Sequence, residues 1–379
     1  MEKNTKEINI VFTHDLHSHL EPFYMEEAGK EKVGGFARIK TYLEKRRAED
    51  ENLLFLDGGD FSMGTLYQTV YETQAAELRM LGFLGADVTT LGNHEFDYRS
   101  QGLVNMLTTA RNSGEKLPDI ALCNVDWEAT LKGEKKEAGA LLQKAFKECG
   151  IRKYVILKKG ELKIAVIGVF GKDALACAPT CALTFQDPIE AVKETVERIK
   201  KTEAVDMIIC LSHSGTWEEE SKSEDELLAK AVPELDLIIS GHTHSILNKP
   251  IIHAHTAIVS TGEYGARVGA VKLMQQEDHR WKVKDYALVL MDDTYALDVK
   301  TEEKVKKLGE NIDREYLKQF GYTKNQVLTH NPWQFTKING LGSVLKEETL
   351  GNLLADSYLY AVNNSDTGDH TPAVVAVVP

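Results

Sequence analysis

The first half of the chain alternates short apolar runs with longer amphipathic segments. Five runs predict buried strands: INIVFT, LLFLDG, DVTTLG, MIICLS and LIIS. Helices are predicted between and after the first three runs. The segments with the apolar spacing of helices are Gly35–Glu49, Leu66–Leu84 and Ser100–Ser113. Strands that alternate with helices are typical of α/β proteins whose sheets contain parallel strands.

Adjacent strands are also predicted, first as a hairpin and then, after His244, as a series. Tyr154–Leu157 and Lys163–Val169 flank a turn and predict a hairpin. Ala257–Thr261, Val268–Gln275 and Trp281–Met291 predict consecutive strands. Because the pattern changes in this way, we expect two sheets and not one doubly wound sheet.

The C-terminal part predicts two helices and one more strand. Thr301–Phe320 is charged and amphipathic, and we interpret it as a helix that connects two units. Glu348–Val362 predicts another helix, and the apolar run Ala373–Val378 predicts a buried strand. The resulting domain prediction is a main domain at residues 1–295, a helical linker at 296–325 and the beginning of a second domain at 326–379.

Composition and charge limit the class of protein. The 379 residues are 42% hydrophobic and 27% charged, as in ordinary globular proteins. The chain has 45 basic and 58 acidic residues, a net charge of −13, which argues against a nucleic-acid polymer or an anionic membrane as the main partner. No apolar run reaches the roughly eighteen residues of a membrane span. The N-terminal residues MEKNTKEINI lack the apolar stretch of a secretory signal, and five cysteines do not indicate a disulfide framework, so we expect a cytoplasmic location.

Polar signatures directly follow five of the predicted strands. They are Asp15-Leu-His17, Gly58-Gly59-Asp60, Gly92-Asn93-His94-Glu95-Phe96-Asp97, Ser212-His213-Ser214 and Gly241-His242-Thr243-His244. Side chains at the carboxyl ends of neighbouring strands meet in one crevice of an open α/β sheet. Three carboxylates, five histidines and an asparagine gathered there would repel one another unless cations held them. The sequence therefore predicts a hydrolytic site with two metal ions.

The longer context of these signatures resembles the calcineurin-like metallophosphoesterases, and within them the 5'-nucleotidase branch. The segments that carry the resemblance are THDLHSHLEPF, VGGFARI, LDGGDFSMGT, MLGFLGADVTTLGNHEFDY and SGHTHS. The likeness runs from about Ile8 to Asp292 and resumes at Glu348–Asp356. In the first motif the family usually has T-N-D-x-H-G, whereas this chain has His14 and Ser18. The resemblance implies an α/β fold in which two mixed β-sheets pack face to face with helices outside.

The resemblance also implies two divalent transition-metal ions. Their expected ligands are Asp15, His17 and His244 for the first ion, Asn93, His213 and His242 for the second, and Asp60 as a bridge between both. Nitrogen and oxygen ligands suit zinc, manganese, iron or cobalt, and the sequence does not choose among these metals. His94 and Asn93 would face the phosphate. Asp97 would orient and charge the imidazole of His94, which would help the leaving oxygen depart.

The expected function is hydrolysis of a phosphomonoester, as in a 5'-nucleotidase that releases phosphate from nucleoside monophosphates. Two alternatives stay open. One is a phosphodiesterase or pyrophosphatase that acts on 2',3'-cyclic nucleotides or nucleotide sugars, since the same metal centre serves both reactions. The other is a metal-stabilised binding module without turnover.

Overall fold

The computed structural model of the protein describes residues 6–25, 32–332, 335 and 348–365. The chain divides into two units, Met1–Lys324 and Asn325–Pro379. The described strands are β1 Glu7–Thr13, β2 Phe23–Tyr24, β3 Lys32–Val33, β4 Leu54–Asp57, β5 Val88–Thr89, β6 Asp119–Ile120, β7 Tyr154–Lys159, β8 Leu162–Phe170, β9 Met207–His213, β10 Leu237–Ser240, β11 Ile251–His253, β12 Thr256–Val259, β13 Arg267–Gln275 and β14 Trp281–Leu290. The described α-helices are α1 Phe36–Glu49, α2 Tyr71–Gln74, α3 Ala76–Leu84, α4 Arg99–Asn112, α5 Trp127–Lys132, α6 Lys136–Glu148, α7 Lys172–Ala176, α8 Pro188–Thr202, α9 Glu224–Ala231, α10 Val299–Glu315 and α11 Thr349–Ser365.

Two six-stranded sheets form the centre of the first unit. The strand order is β14-β13-β1-β4-β5-β6 in one sheet and β11-β12-β10-β9-β8-β7 in the other. β1 pairs in parallel with β4 and antiparallel with β13. β9 pairs in parallel with β8 and β10, while β7 pairs antiparallel with β8. Both sheets are therefore mixed, and the carboxyl ends of their central parallel strands carry the polar signatures.

The two sheets pack face to face through a buried apolar layer. Every second residue of β1, namely Ile8, Ile10 and Phe12, lies in one cluster with Ile209 of β9 and Ile239 of β10. Burial of each such side chain contributes about 1.5–3 kcal/mol to folding. Helices α1, α3 and α4 cover the outer face of the first sheet, and α8 and α9 cover that of the second. The predicted α/β fold, with two mixed sheets and flanking helices, is confirmed.

The prediction of one continuous helix at Leu66–Leu84 was wrong. A 3₁₀ helix at Leu66–Val70 leads into α2, and α3 begins only after Ala75. The φ of Ala75 is 45°, a left-handed conformation that a right-handed helix cannot contain. Within α2, the hydroxyl of the buried Tyr71 donates a hydrogen bond to the backbone carbonyl of Glu95 at 2.9 Å. This tertiary contact, which the apolar period does not reveal, accompanies the break.

Helix α10 packs within the first unit. Its residues Val305, Leu308 and Ile312 are buried in the same apolar cluster as residues of α1. The first unit ends at Lys324, after this helix. The domain boundaries drawn from the sequence at residues 295 and 325 stay a prediction.

The described part of the second unit contains α11, which covers most of the helix predicted at Glu348–Val362. The strand predicted at Ala373–Val378 lies outside the described residues. None of the helices that the structure describes is long and apolar enough to cross a membrane.

Candidate metal centre

Backbone hydrogen bonds join the loops that carry the polar signatures. In the loop after β1, the N–H of Asp15 donates to the carbonyl of Gly59 at 2.9 Å, and the N–H of His17 donates to the carbonyl of Asp60 at 3.0 Å. From the loop after β10, the N–H of His242 donates to the carboxylate of Asp15 at 2.9 Å. The ends of β1, β4 and β10 are thereby held in one site.

The backbone of these loops is strained at most of the predicted metal ligands. Positive φ angles between 45° and 75° occur at Asp15, His17, Asp60, His242 and His244. A left-handed conformation costs a non-glycine residue about 1–2 kcal/mol, and such residues cluster at functional sites. The fold therefore accepts several unfavourable conformations to bring these side chains together.

Asp15, His17 and His244 form a first cluster of possible metal ligands. The Nε2 atoms of His17 and His244 lie 2.9 Å apart. The Oδ1 atom of Asp15 lies 3.7 Å from His17 Nε2 and 3.5 Å from His244 Nε2. Nδ1 of His17 faces the carbonyl oxygen of Met63 at 3.1 Å, so Nδ1 carries the hydrogen and Nε2 presents its lone pair to the cluster.

Asp60, Asn93, His213 and His242 form a second cluster. Nε2 of His213 lies 3.1 Å from Asp60 Oδ2 and 3.2 Å from Asn93 Oδ1. Nδ1 of His242 lies 3.0 Å from the same Asn93 oxygen. His213 Nδ1 donates to the carbonyl oxygen of Gly58 at 2.9 Å, so Nε2 is the ring nitrogen that faces those oxygen atoms.

The donor atoms of both clusters fit a metal cation. A nitrogen lone pair facing a carboxylate oxygen is stable only when a proton or a cation lies between them. Burial lowers the pKa of His213, but the adjacent carboxylate of Asp60 outweighs burial and raises that pKa to about 10. Asp60 Oδ2 also lies 3.9 Å from His17 Nε2, so one carboxylate reaches both clusters. This is the position that a bridging ligand of two cations would have.

His94 lies at the edge of the two clusters. Its ring centroid is 5.0 Å from that of His17, and its side chain is 38% exposed, which makes it accessible to a ligand. Its Nδ1 donates to Asp97 Oδ2 at 2.7 Å, and this hydrogen bond is the main cause that raises the pKa of His94 to about 9. At neutral pH the imidazole is therefore protonated, with Nε2–H available to a substrate.

Two buried carboxylates support the loops without facing the clusters. Asp57 accepts hydrogen bonds from the hydroxyls of Thr13 and Thr89 at 2.8 Å and 2.7 Å, and so ties neighbouring strands together. Glu95 accepts a hydrogen bond from the backbone N–H of Asp60 at 3.0 Å. Asp57 therefore supports the ends of these strands.

The family model described as calcineurin-like phosphoesterase matches residues 8–245. The chain belongs to this family. Trifunctional nucleotide phosphoesterase protein YfkN of Bacillus subtilis (strain 168) is 28% identical over 93% of this chain and 23% of its own length. The 5'-nucleotidase of Bos taurus is 31% identical over 70% of this chain and 44% of its own length. The crystal structure of a 5'-nucleotidase precursor from Thermus thermophilus matches with a TM-score of 0.73 and 25% identity, over 95% of this chain and 68% of that one.

These relatives confirm the predicted 5'-nucleotidase branch of the calcineurin-like phosphoesterases. The chain spans less than half the length of the two curated relatives named above. Metallophosphoesterases use divalent metal ions, and the two clusters contain histidine and carboxylate side chains that could bind them.

Two further side chains position possible metal ligands of this chain, and one of them, Asp173, was not identified from the sequence. Nδ1 of His14 lies 2.6 Å from Asp15 Oδ2, and its Nε2 accepts a hydrogen bond from the N–H of Thr261 at 2.8 Å. His14 therefore donates to Asp15. Asp173 accepts a hydrogen bond from Nε2 of His242 at 2.9 Å, which leaves Nδ1 of that ring to the second cluster. The sequence draws attention to His14, because this residue departs from the usual first motif of the family. It gives no indication of the role of Asp173, because Asp173 is distant from His242 along the chain.

Proposed function

We propose that this chain hydrolyses phosphate monoesters with two divalent transition-metal ions, and that its substrates are nucleoside 5'-monophosphates. The observation that carries the proposal is the carboxylate of Asp60, which lies within reach of both ligand clusters, with the imidazole of His94, hydrogen-bonded to Asp97, beside them. The names of the bovine and Thermus relatives support the choice of nucleotide.

Each cluster would hold one ion. Asp15, His17 and His244 would be the ligands of the first ion, Asn93, His213 and His242 those of the second, and Asp60 would contact both. When bound, two such cations would neutralise charge on the phosphate and make a water molecule more acidic. Zinc, manganese, iron and cobalt all suit this donor set.

His94 and Asn93 are the groups that we assign to the substrate. Asn93 turns its amide oxygen toward the second cluster, so its amide nitrogen is the atom that would donate to a phosphate oxygen. Nε2–H of His94 would give its proton to the ester oxygen as the phosphorus–oxygen bond breaks. Asp97, bonded to Nδ1, would keep the ring oriented and charged until that transfer.

Chromatographic analysis of the reaction products would test the proposal with the purified protein and added Mn²⁺ or Zn²⁺. Hydrolysis of AMP releases adenosine and phosphate, whereas hydrolysis of 2',3'-cyclic AMP gives a nucleoside monophosphate and that of UDP-glucose gives UMP and glucose 1-phosphate. We expect faster turnover of AMP than of 2',3'-cyclic AMP or UDP-glucose. His94→Asn should lower turnover by about 10²–10⁴-fold, the usual contribution of general acid catalysis, while the metal content stays unchanged. Preference for the cyclic or sugar nucleotide would favour the diesterase alternative. Two bound metal ions without turnover of any substrate would favour the binding module.

A further inference from the structure

Three aromatic side chains form a cluster beside the first set of proposed metal ligands. This aromatic cluster consists of His19, Phe23 and Tyr264. The ring centroid of Tyr264 lies 5.6 Å from that of His17 and 5.9 Å from that of His244. His19 is stacked on Tyr264 at 4.2 Å with an interplanar angle of 27°, and Phe23 meets both rings edge to face. The aromatic cluster thus adjoins the centre that would hold the phosphate.

The conformation of Tyr264 is unfavourable and is not explained by core packing. Its φ is 65°, in the left-handed region that bulky residues avoid at a cost of about 1–2 kcal/mol. Its backbone N–H donates to the carbonyl of Asp15 at 2.7 Å, which fixes the ring beside the loop after β1. All three members of the aromatic cluster are partly exposed and none belongs to a buried core. A strained aromatic residue with a solvent-accessible ring next to a reaction site is an indication of function.

The ring of Tyr264, and not its hydroxyl, makes the observed contacts. Within the described part of the chain, no group forms a hydrogen bond with this hydroxyl. His19 is held in its stacked position because its Nδ1 donates to the carbonyl of His17 at 2.9 Å. Both rings are therefore fixed in place before a ligand arrives, which reduces the entropy lost on binding.

We propose that the aromatic cluster binds a planar ring in the organic group of the phosphate ester, either a base or an aryl group. This inference rests on the proposed function and names its substrate class more closely. An ester whose phosphate lies at the ligand clusters must extend its organic group away from them, and Tyr264 is in ring contact with both His17 and His244 of the first cluster. Stacking on aromatic side chains tolerates any base, because every base has a π face. The subsite therefore favours esters with a ring over alkyl esters and selects weakly among bases.

The experiment compares two esters in the metal-loaded full chain. The measured quantity is the kcat/KM for phenyl phosphate divided by the kcat/KM for glycerol 3-phosphate, which has no ring. The intrinsic reactivities of the esters cancel when this ratio is compared between variants. Tyr264→Leu should lower the ratio by about tenfold, the effect of one lost stacking contact, and His19→Ala should lower it in the same direction. Tyr264→Phe is the matched control and should keep the ratio within about twofold, since it retains the ring.

A second readout does not depend on turnover. Phenylphosphonate and methylphosphonate resist hydrolysis, so their dissociation constants can be measured on the metal-loaded protein even when no ester is cleaved. Phenylphosphonate should bind more tightly to wild type, and Tyr264→Leu should remove that advantage. An unchanged ratio and an unchanged phenyl advantage in Tyr264→Leu would overturn the inference, as would an equal loss for both esters together with loss of metal. Hydrolysis of no ester by wild type, with the phenyl advantage present, would overturn the proposed function and leave the aromatic subsite standing.

Discussion

Asp97 shows how one carboxylate sets the charge of a neighbouring histidine. Its hydrogen bond raises the pKa of His94 to about 9, so the imidazolium persists until the pH rises through that value. If His94 acts as the acid, turnover by wild type should fall as the pH rises through about 9. In Asp97→Asn the same decline should move toward the ordinary histidine pKa of about 6.5. The pH profile of kcat measures this shift.

The matched control for that experiment is an exposed aspartate elsewhere in the first unit. Asp293→Asn removes the same charge and should leave the alkaline limb of the profile in place. An identical alkaline limb in Asp97→Asn and wild type would show that another group, and not His94, supplies the proton.

Asp173 acts on a different histidine. Because it accepts the Nε2 hydrogen of His242, it fixes the tautomer that turns Nδ1 toward the second cluster. Asp173→Asn should weaken metal binding by about 10–100-fold, the usual effect of losing such a partner. Competition with a chelator measures the affinity, and excess metal should restore most of the turnover. Asp285→Asn, an exposed substitution, is the control, and equal affinities in the two variants would contradict the assigned role.

At this scale the motifs in the sequence named the side chains of both clusters, because these side chains follow directly after predicted strands. The same motifs did not specify which distant groups hydrogen-bond to those side chains. His14 contacts the N–H of Thr261, and Asp173 contacts His242, across long stretches of sequence. Hydrogen bonds of this kind depend on which loops meet, and no local spacing encodes them.

At the scale of elements, Gly168 in β8 allows a close approach between strand and loop. A Cβ atom at this position would lie 2.0 Å from the carbonyl oxygen of Ala121, which is backbone and cannot rotate away. We expect Gly168→Ala to lower the free energy of unfolding by about 1–3 kcal/mol, as overpacking usually does. Urea unfolding followed by circular dichroism gives the value.

Gly133 provides the matched control for Gly168→Ala. A Cβ atom there would have its nearest neighbour at 3.4 Å, and its φ of −72° suits any residue. Gly133→Ala should leave the stability unchanged or raise it slightly, because alanine restricts the unfolded chain. Equal destabilisation by both substitutions would show that the close contact in β8 is not the cause.

The helix prediction at Leu66–Leu84 failed at this scale for a physical reason. Apolar spacing reports which face of a segment is buried, and it continues across Ala75 because residues on both sides are buried. The left-handed conformation at Ala75 accompanies a tertiary contact, the hydrogen bond from Tyr71 to the carbonyl of Glu95. Apolar spacing carries no information about such a contact.

At the scale of the molecule, the first unit contains every proposed metal ligand and every residue of the three apolar clusters. We therefore expect a fragment of residues 1–324 to fold and to bind two equivalents of Mn²⁺ or Zn²⁺ with the affinity of the full chain. Metal titration and thermal unfolding of both lengths test this. Loss of either metal equivalent, or of the cooperative transition, in the fragment would show that the second unit contributes to the centre.

The sequence by itself determined the family, the two-sheet architecture and the residues at the strand ends. Apolar periodicity and motifs are local properties of the sequence. The carboxyl ends of neighbouring parallel strands lie at the same edge of a sheet, independently of the conformation of the connecting loops. The tertiary structure alone decided the left-handed loops at Asp15 and Asp60, the hydrogen bond to Asp173 that selects the tautomer of His242, and the stacking of His19 on Tyr264. Each of these depends on contacts between segments far apart in sequence, whose energies exist only once the two sheets have packed together.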